Sequence, residues 1–309
     1  MTTNRFVRLS RSLTAAGAMF LFAHCAHAAL DAFACEPEWA ALSKEIGGDK
    51  VSVYQATTAM QDPHRIVARP SLIAHMRSAD LLVCTGAELE VGWLPVLLQT
   101  SGNAKVQVGQ PGYFMASDFV VKLEVPKTVD RSQGDVHPYG NPHILLDPRN
   151  IARVAQELSQ RLAQLDPQNA AYYAARLKDF DSRWQKAIAE WETRAAPLKG
   201  MRLVPYHKDY AYLMHWLGMD EVIDVEPKPG IPPSAGYLSE LLVKLQTQPA
   251  DAIVRSAYQD PKAVEWLSER TKIPAVTLPY TVGGTPQAKD LFSLFDDTIS
   301  RLLKARKPA

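Results

Sequence analysis

The sequence predicts an α/β protein of two lobes, each a mainly parallel sheet flanked by helices, joined by one long linking helix. Three observations carry that expectation. Short apolar runs alternate with amphipathic ones in two separate sets, and strand–helix alternation produces parallel sheets with helices on both faces. A single long amphipathic segment lies between the two sets. Hydrophobic residues make up 47% of the chain, ample for two cores, and no repeat or low-complexity tract interrupts it.

The first 28 residues are read as a cleavable export signal. Arg5, Arg8 and Arg11 form a basic start, "LTAAGAMFLFA" an apolar stretch too short to span a bilayer, and Ala26-His27-Ala28 an A-x-A cleavage site. Cys25 is not read as a lipid-modified cysteine, because His24 stands where a small residue is wanted. The expected product begins near Ala29 and is a soluble, exported protein. The chain carries a net charge of +1, and losing three arginines turns it slightly acidic. That balance points away from nucleic acid and anionic membrane as partners.

The first lobe is expected over residues 29–165. Its strands are read as "LDAFACEP", "KVSVYQAT", "DLLVCTG" and "AKVQVG", with "EPEWAALSKEIGG" and "RPSLIAHMRSA" as helices between them. The linking helix is placed at 166–196. Asp166-Pro167 reads as an N-cap followed by proline at the first helical position. Tyr173, Leu177, Phe180, Trp184, Ile188 and Trp191 then recur on one helical face, over a length on the order of 40 Å. Pro197 and Gly200 end it. Such a helix limits hinging, since bending it breaks its hydrogen-bond ladder. An ordinary long core helix has the same pattern. The second lobe, 197–309, shows "MRLVPYH", "EVIDVEP", "ADAIVRS" and "PAVTLPY" as strands. Cys35 and Cys84 each end a predicted strand, so in an exported chain they are a disulfide candidate, with two buried thiols as the alternative.

Function is read from the histidines. His75 and His215 fall mid-helix among apolar residues and are taken as structural. His64 in "DPHRIVARPS", His143 in "GNPHILLDP" and His207 at the end of "MRLVPYH" lie in loops beyond strands, where open α/β sheets bind ligands. Two of the three follow proline, which stiffens the turn. Three neutral imidazoles suit Zn²⁺ best, with Cu²⁺ or Ni²⁺ also possible; Mg²⁺ or Ca²⁺ calls for oxygen donors. No short metal-binding motif such as C-x-x-C or H-E-x-x-H is present.

"DPHRIVARPS", "ADLLVCTGAELEVGWLP", "GNPHILLDP" and "YHKDYAYLMHWLG" together make the chain resemble the periplasmic metal-binding components of ABC importers for zinc and manganese. The resemblance runs over nearly all of the chain beyond the signal. It implies His64 and His143 as metal ligands from the first lobe and His207 from the second. It implies an inner-membrane ABC permease with a cytoplasmic ATPase as partners, a monomeric binding protein, and zinc or manganese as cargo. The family's usual fourth ligand is a carboxylate near the last strand, where this chain has Pro279 and Tyr280. Water, Asp62, Glu226 and His137 are the alternatives for that place. The family's His-rich loop is reduced here to His137, either a surface residue or an accessory ligand. Asp147 is read as orienting a ligand imidazole or starting a helix. A zinc hydrolase or lyase is the rival reading, since three histidines and a water also make catalytic zinc. It lacks an identifiable general base. An adhesin of the same fold is a third.

Overall fold

The computed structural model describes residues 29–130, 132 and 134–306; the expected export signal, residues 1–28 with Cys25, lies outside the described residues. Two four-stranded, all-parallel sheets are present. The first has the order β2-β1-β3-β4, with β1 Leu30–Ala34, β2 Val51–Gln55, β3 Leu81–Cys84 and β4 Tyr113–Met115. The second repeats that order as β6-β5-β7-β8, with β5 Arg202–Pro205, β6 Asp220–Glu221, β7 Ala252–Ser256 and β8 Ala275–Leu278. Each sheet changes winding direction beside its first strand, between β1 and β3 and between β5 and β7. Loops part there at the strands' carboxyl ends and leave a crevice.

Two predicted strands differ. "AKVQVG" is no strand: Ala104–Val106 forms a 3₁₀ turn. Asn103 pins it, accepting from the Lys105 amide and donating to the carbonyls of Met76 and Ala79. The edge strand falls later, at Tyr113–Met115, and pairs with β3. "EVIDVEP" pairs as a ladder only through Asp220 and Glu221. Beyond them, isolated bonds from Val222 to Leu203 and from Val225 to Pro205 hold it to β5.

Helix α1 (Pro37–Gly47) follows β1, α2 (Pro70–Ser78) precedes β3, and α3 (Leu94–Ser101) follows it. Helix α4 (Pro148–Leu165) leads to the long helix α5 (Ala170–Ala195). Asp166 and Pro167 separate the two rather than starting α5 directly. Proline cannot extend α4, and a 3₁₀ turn over Pro167–Asn169 intervenes. The Asp166 carboxylate there accepts from the Asn169 amide and the Tyr173 hydroxyl.

The apolar face of α5 is the one its spacing predicts: Tyr173, Phe180, Trp184, Ile188 and Trp191 are buried, and Leu177 is half-buried against the same cluster. Trp184 stacks on Phe180 and meets Phe295 edge-on, while Trp191 stacks on Phe295 at 4.8 Å. Phe295 belongs to the C-terminal helix α9 (Leu291–Ala305). One apolar cluster therefore runs from the first sheet through α5 to the second. A continuous apolar interface of this kind resists relative motion of the halves more than a helix alone. Two smaller clusters fill the outer faces of the two sheets. The remaining helices, α6 (Ala211–Leu217), α7 (Ala235–Thr247) and α8 (Lys262–Thr271), surround the second sheet.

Cys35 and Cys84 form a disulfide with Cα atoms 4.8 Å apart, tying β1 to its neighbour β3. No described helix is long and apolar enough to cross a membrane.

Candidate metal centre

The loop after β2 presents His64 through a local turn. The Asp62 carboxylate accepts the His64 amide at 3.0 Å and lies 2.8 Å from its Nδ1. That is an Asx turn extended to the ring. The Pro63 carbonyl accepts from the buried Trp93 indole. Gly92 allows this approach, since a Cβ there would lie 2.9 Å from the His64 carbonyl oxygen.

His143 is held by both halves of the chain. Its amide donates to Asn141 Oδ1, and the Asn141 amide group donates across to the Lys208 carbonyl. Its Nδ1 is 2.9 Å from the Tyr280 hydroxyl, just past β8. His143 is 1% exposed, so it lies deep in the crevice. His207 follows β5, with its Nδ1 2.7 Å from Glu226, which also accepts the Gly230 amide.

The three rings thus share one arrangement: each Nδ1 has an oxygen partner, which leaves Nε2 for a common point. Partners of this kind fix ring orientation and basicity in metal sites. The Nε2 atoms of His143 and His207 are 3.2 Å apart. Tetrahedral zinc with bonds of ~2.0–2.1 Å places neighbouring donors about 3.3 Å apart. The His64 ring centroid is 5.2 Å from that of His143 and 5.5 Å from that of His207. His64 Nε2 is buried without a hydrogen-bond partner.

Two further neighbours stand at the site, Asp209, which sequence reasoning did not name, and His137, which it left between a surface residue, an accessory ligand and the fourth ligand. Asp209 is fully buried, its Oδ1 3.9 Å from His143 Nε2 and 4.0 Å from His207 Nε2. Its carboxylate accepts from Ser256, Gln259 and Tyr258 in the segment ending β7. His137 also reaches the site, its ring 5.3 Å from that of His64. Potential ligand atoms of His64, His137 and His143 lie within 4.8 Å of one another, as do those of His143, His207 and Asp209.

The charges are tightly linked. Burial, then the neighbouring His207, His64 and His137, hold His143 well below the usual imidazole range. Burial also lowers His207, but Glu226, Asp209 and Asp224 outweigh it and bring the ring up to about 9. Burial raises Asp209 despite the nearby imidazoles.

Several residues fall elsewhere than expected. Asp62 and Glu226 each carry an imidazole Nδ1, which makes them orienting groups in this arrangement. Asp147 caps α4, accepting the Arg149 amide and pairing with its guanidinium, so it touches no ligand ring. His75 and His215 are not core residues: both are exposed, and His75 stacks on Tyr54 at 3.6 Å.

Residues 33–305 match the family described as ZnuA, zinc-uptake complex component A, periplasmic. A high-affinity zinc uptake system protein ZnuA of Yersinia pestis is 24% identical over 250 residues, 77% of this chain and 79% of the relative. A manganese ABC transporter substrate-binding lipoprotein PsaA of Streptococcus pneumoniae serotype 4 is 24% identical over 255 residues, 81% of this chain and 79% of that protein. Among solved structures, a crystal structure of ZnuA superposes with a TM-score of 0.75 at 23% identity, covering 90% of this chain and all of that one. A cadmium-bound periplasmic metal-binding protein from Candidatus Liberibacter asiaticus superposes with a TM-score of 0.72 at 15% identity, over 89% of this chain and 98% of that one.

Proposed function

Because the chain belongs to the family of periplasmic zinc-uptake components, the metal-binding, substrate-binding proteins of ABC importers, we propose that it captures Zn²⁺ with His64, His143 and His207. It then delivers the ion to an inner-membrane permease driven by a cytoplasmic ATPase. The observation that carries the reading is the shared arrangement of the three rings. Each Nδ1 is engaged by an oxygen of Asp62, Tyr280 or Glu226, and the His143 and His207 Nε2 atoms stand at the spacing of a zinc tetrahedron.

Imidazole donors favour zinc over manganese, which prefers carboxylate and water. The name of the pneumococcal relative keeps manganese as the competitor to test. The ligands come from both lobes, 29–165 and 197–309, so release requires the permease to separate donors that α5 and the shared core hold together. The chain acts as a monomer, exported by its N-terminal segment. A hydrolytic zinc site needs a free general base beside the ion. Asp62 and Glu226 are committed to imidazoles, and Asp209 to Ser256, Gln259 and Tyr258, so no observation favours that rival.

The test is competitive titration of metal-free protein with Zn²⁺ and Mn²⁺, beside a His143→Ala variant. Tight one-to-one zinc binding, stronger than manganese and lost in the variant, is the expected result. Equal binding by parent and variant removes His143 from the site and the reading with it.

A further inference from the structure

We infer that His137 is the fourth metal ligand, closing an all-imidazole site that sets the preference for zinc over manganese. This rests on the three-histidine reading above and adds the donor that it leaves open.

The argument begins with an orphaned atom. Among the described residues, the imidazole nitrogens buried without any hydrogen-bond partner are His64 Nε2 and His137 Nε2. A buried polar atom left unpaired forfeits its hydration with nothing in return, so such an atom in a crevice points to a ligand. His64 is already a ligand on the reading above, and His137 shares its condition and its neighbourhood. Potential ligand atoms of His64, His137 and His143 lie within 4.8 Å of one another. His143 also meets His207 Nε2 at 3.2 Å. His143 is thus common to both pairings, the one with His64 and His137 and the one with His207.

The competing donors are occupied. Asp62 and Glu226 serve the Nδ1 atoms of His64 and His207. Asp209 accepts from three side chains. The Tyr280 hydroxyl is spent on His143.

The segment carrying His137 is fastened beside the crevice from both lobes. The Asp135 amide donates to the Pro229 carbonyl at 2.9 Å. Lys228 Nζ donates to the Ser132 carbonyl, and Arg65 lies 3.5 Å from the Asp135 carboxylate. Gly134, at φ +89°, lets this backbone close on the second lobe, because a Cβ there would sit 2.4 Å from the Pro229 oxygen. These bonds hold the ring over the crevice before any ion arrives, as a metal ligand requires.

Four imidazoles and no carboxylate suit Zn²⁺, Cu²⁺ or Ni²⁺, whereas manganese prefers oxygen donors. Removing His137 should therefore weaken zinc binding and narrow the gap to manganese.

The experiment loads the parent protein, His137→Ala and His143→Ala with one equivalent of zinc. X-ray absorption at the zinc edge counts imidazoles, and chelator competition measures zinc and manganese affinities. The expected result is four imidazoles in the parent and three in His137→Ala, with zinc affinity at least about tenfold weaker in that variant. Gly134→Ala, which keeps His137 but loosens its segment, should shift zinc affinity in the same direction. Three imidazoles in the parent, or unchanged affinity in His137→Ala while His143→Ala loses zinc, overturns the inference and leaves the three-histidine site standing. Failure of the parent to bind zinc, or unchanged binding in His143→Ala, removes both.

Discussion

Replacing Glu38 by glutamine should flatten, in part, the pH dependence of the metal-free protein's stability just below neutrality. Glu38 opens α1 fully buried and accepts the Thr281 hydroxyl at 2.6 Å, a bond between residues 243 positions apart that ties the first lobe to the loop after β8. Burial, only partly offset by the Thr281 bond, pushes its carboxyl from 4.5 up to about 7. A folded-state pKa above the unfolded value means the native state keeps a proton that the unfolded chain has lost. Stability is then complete below about pH 4.5, falls as pH rises through the interval, and levels off above about 7. At 1.36 kcal/mol per pKa unit, the shift makes this single group's loss on the order of 3 kcal/mol. Glutamine keeps an acceptor for Thr281 and cannot ionise. Urea unfolding of parent and Glu38→Gln at pH 5 and pH 8 measures the effect, since every other titrating group is common to both. The parent should lose about 2–3 kcal/mol more than the variant between the two pH values. Glu36 and Glu90 are buried beside it, both raised chiefly by burial, and leave a residual slope in the variant. Parallel pH curves for the two proteins would refute the reasoning.

The disulfide closes a loop of 49 residues, for which chain entropy gives about 4 kcal/mol. The double variant Cys35→Ala, Cys84→Ala should lose stability on that scale in urea, and a loss below about 1 kcal/mol would show that the unfolded chain is not the state being restrained. Glu226→Ala frees the His207 ring to turn and should weaken zinc binding roughly 10–100-fold by chelator competition. An unchanged zinc affinity would mean that Glu226 does not orient the ring.

What could be read from the sequence follows from how local each signal is. Periodicity alone located the buried face of α5, because Tyr173, Phe180, Trp184, Ile188 and Trp191 repeat along a single helix. Position past strand ends picked out His64, His143 and His207. The edge strand Tyr113–Met115 was not legible, because three residues carry no alternation, while "AKVQVG" alternates well but is pinned into a turn by Asn103. Asp209 and Tyr280 were hidden for a different reason. Their roles exist only where the loops after β5, β7 and β8 converge, and no spacing in the chain announces that meeting. Nor does "EPEW" announce that Glu36 and Glu38 are buried, since acids at a helix start are ordinarily solvated. His75 and His215 erred the other way: apolar neighbours in the sequence do not bury a residue on the outer face of a short helix.

The proposed ligands stand in three remote segments, one before β3, one before α4 and one after β5. In the unfolded chain His64, His143 and His207 are too far apart in sequence to form a local chelate, and a half-folded protein with only its first lobe complete lacks His207. Metal therefore binds the finished fold in preference to everything that precedes it. By mass action the ion adds stability that grows with the logarithm of its concentration over Kd, about 2.7 kcal/mol at a hundredfold excess over Kd. On the proposed reading the bound metal then acts as a check on the end of folding: a chain that holds the ion has already brought both sheets, the long helix and every connecting loop to their places.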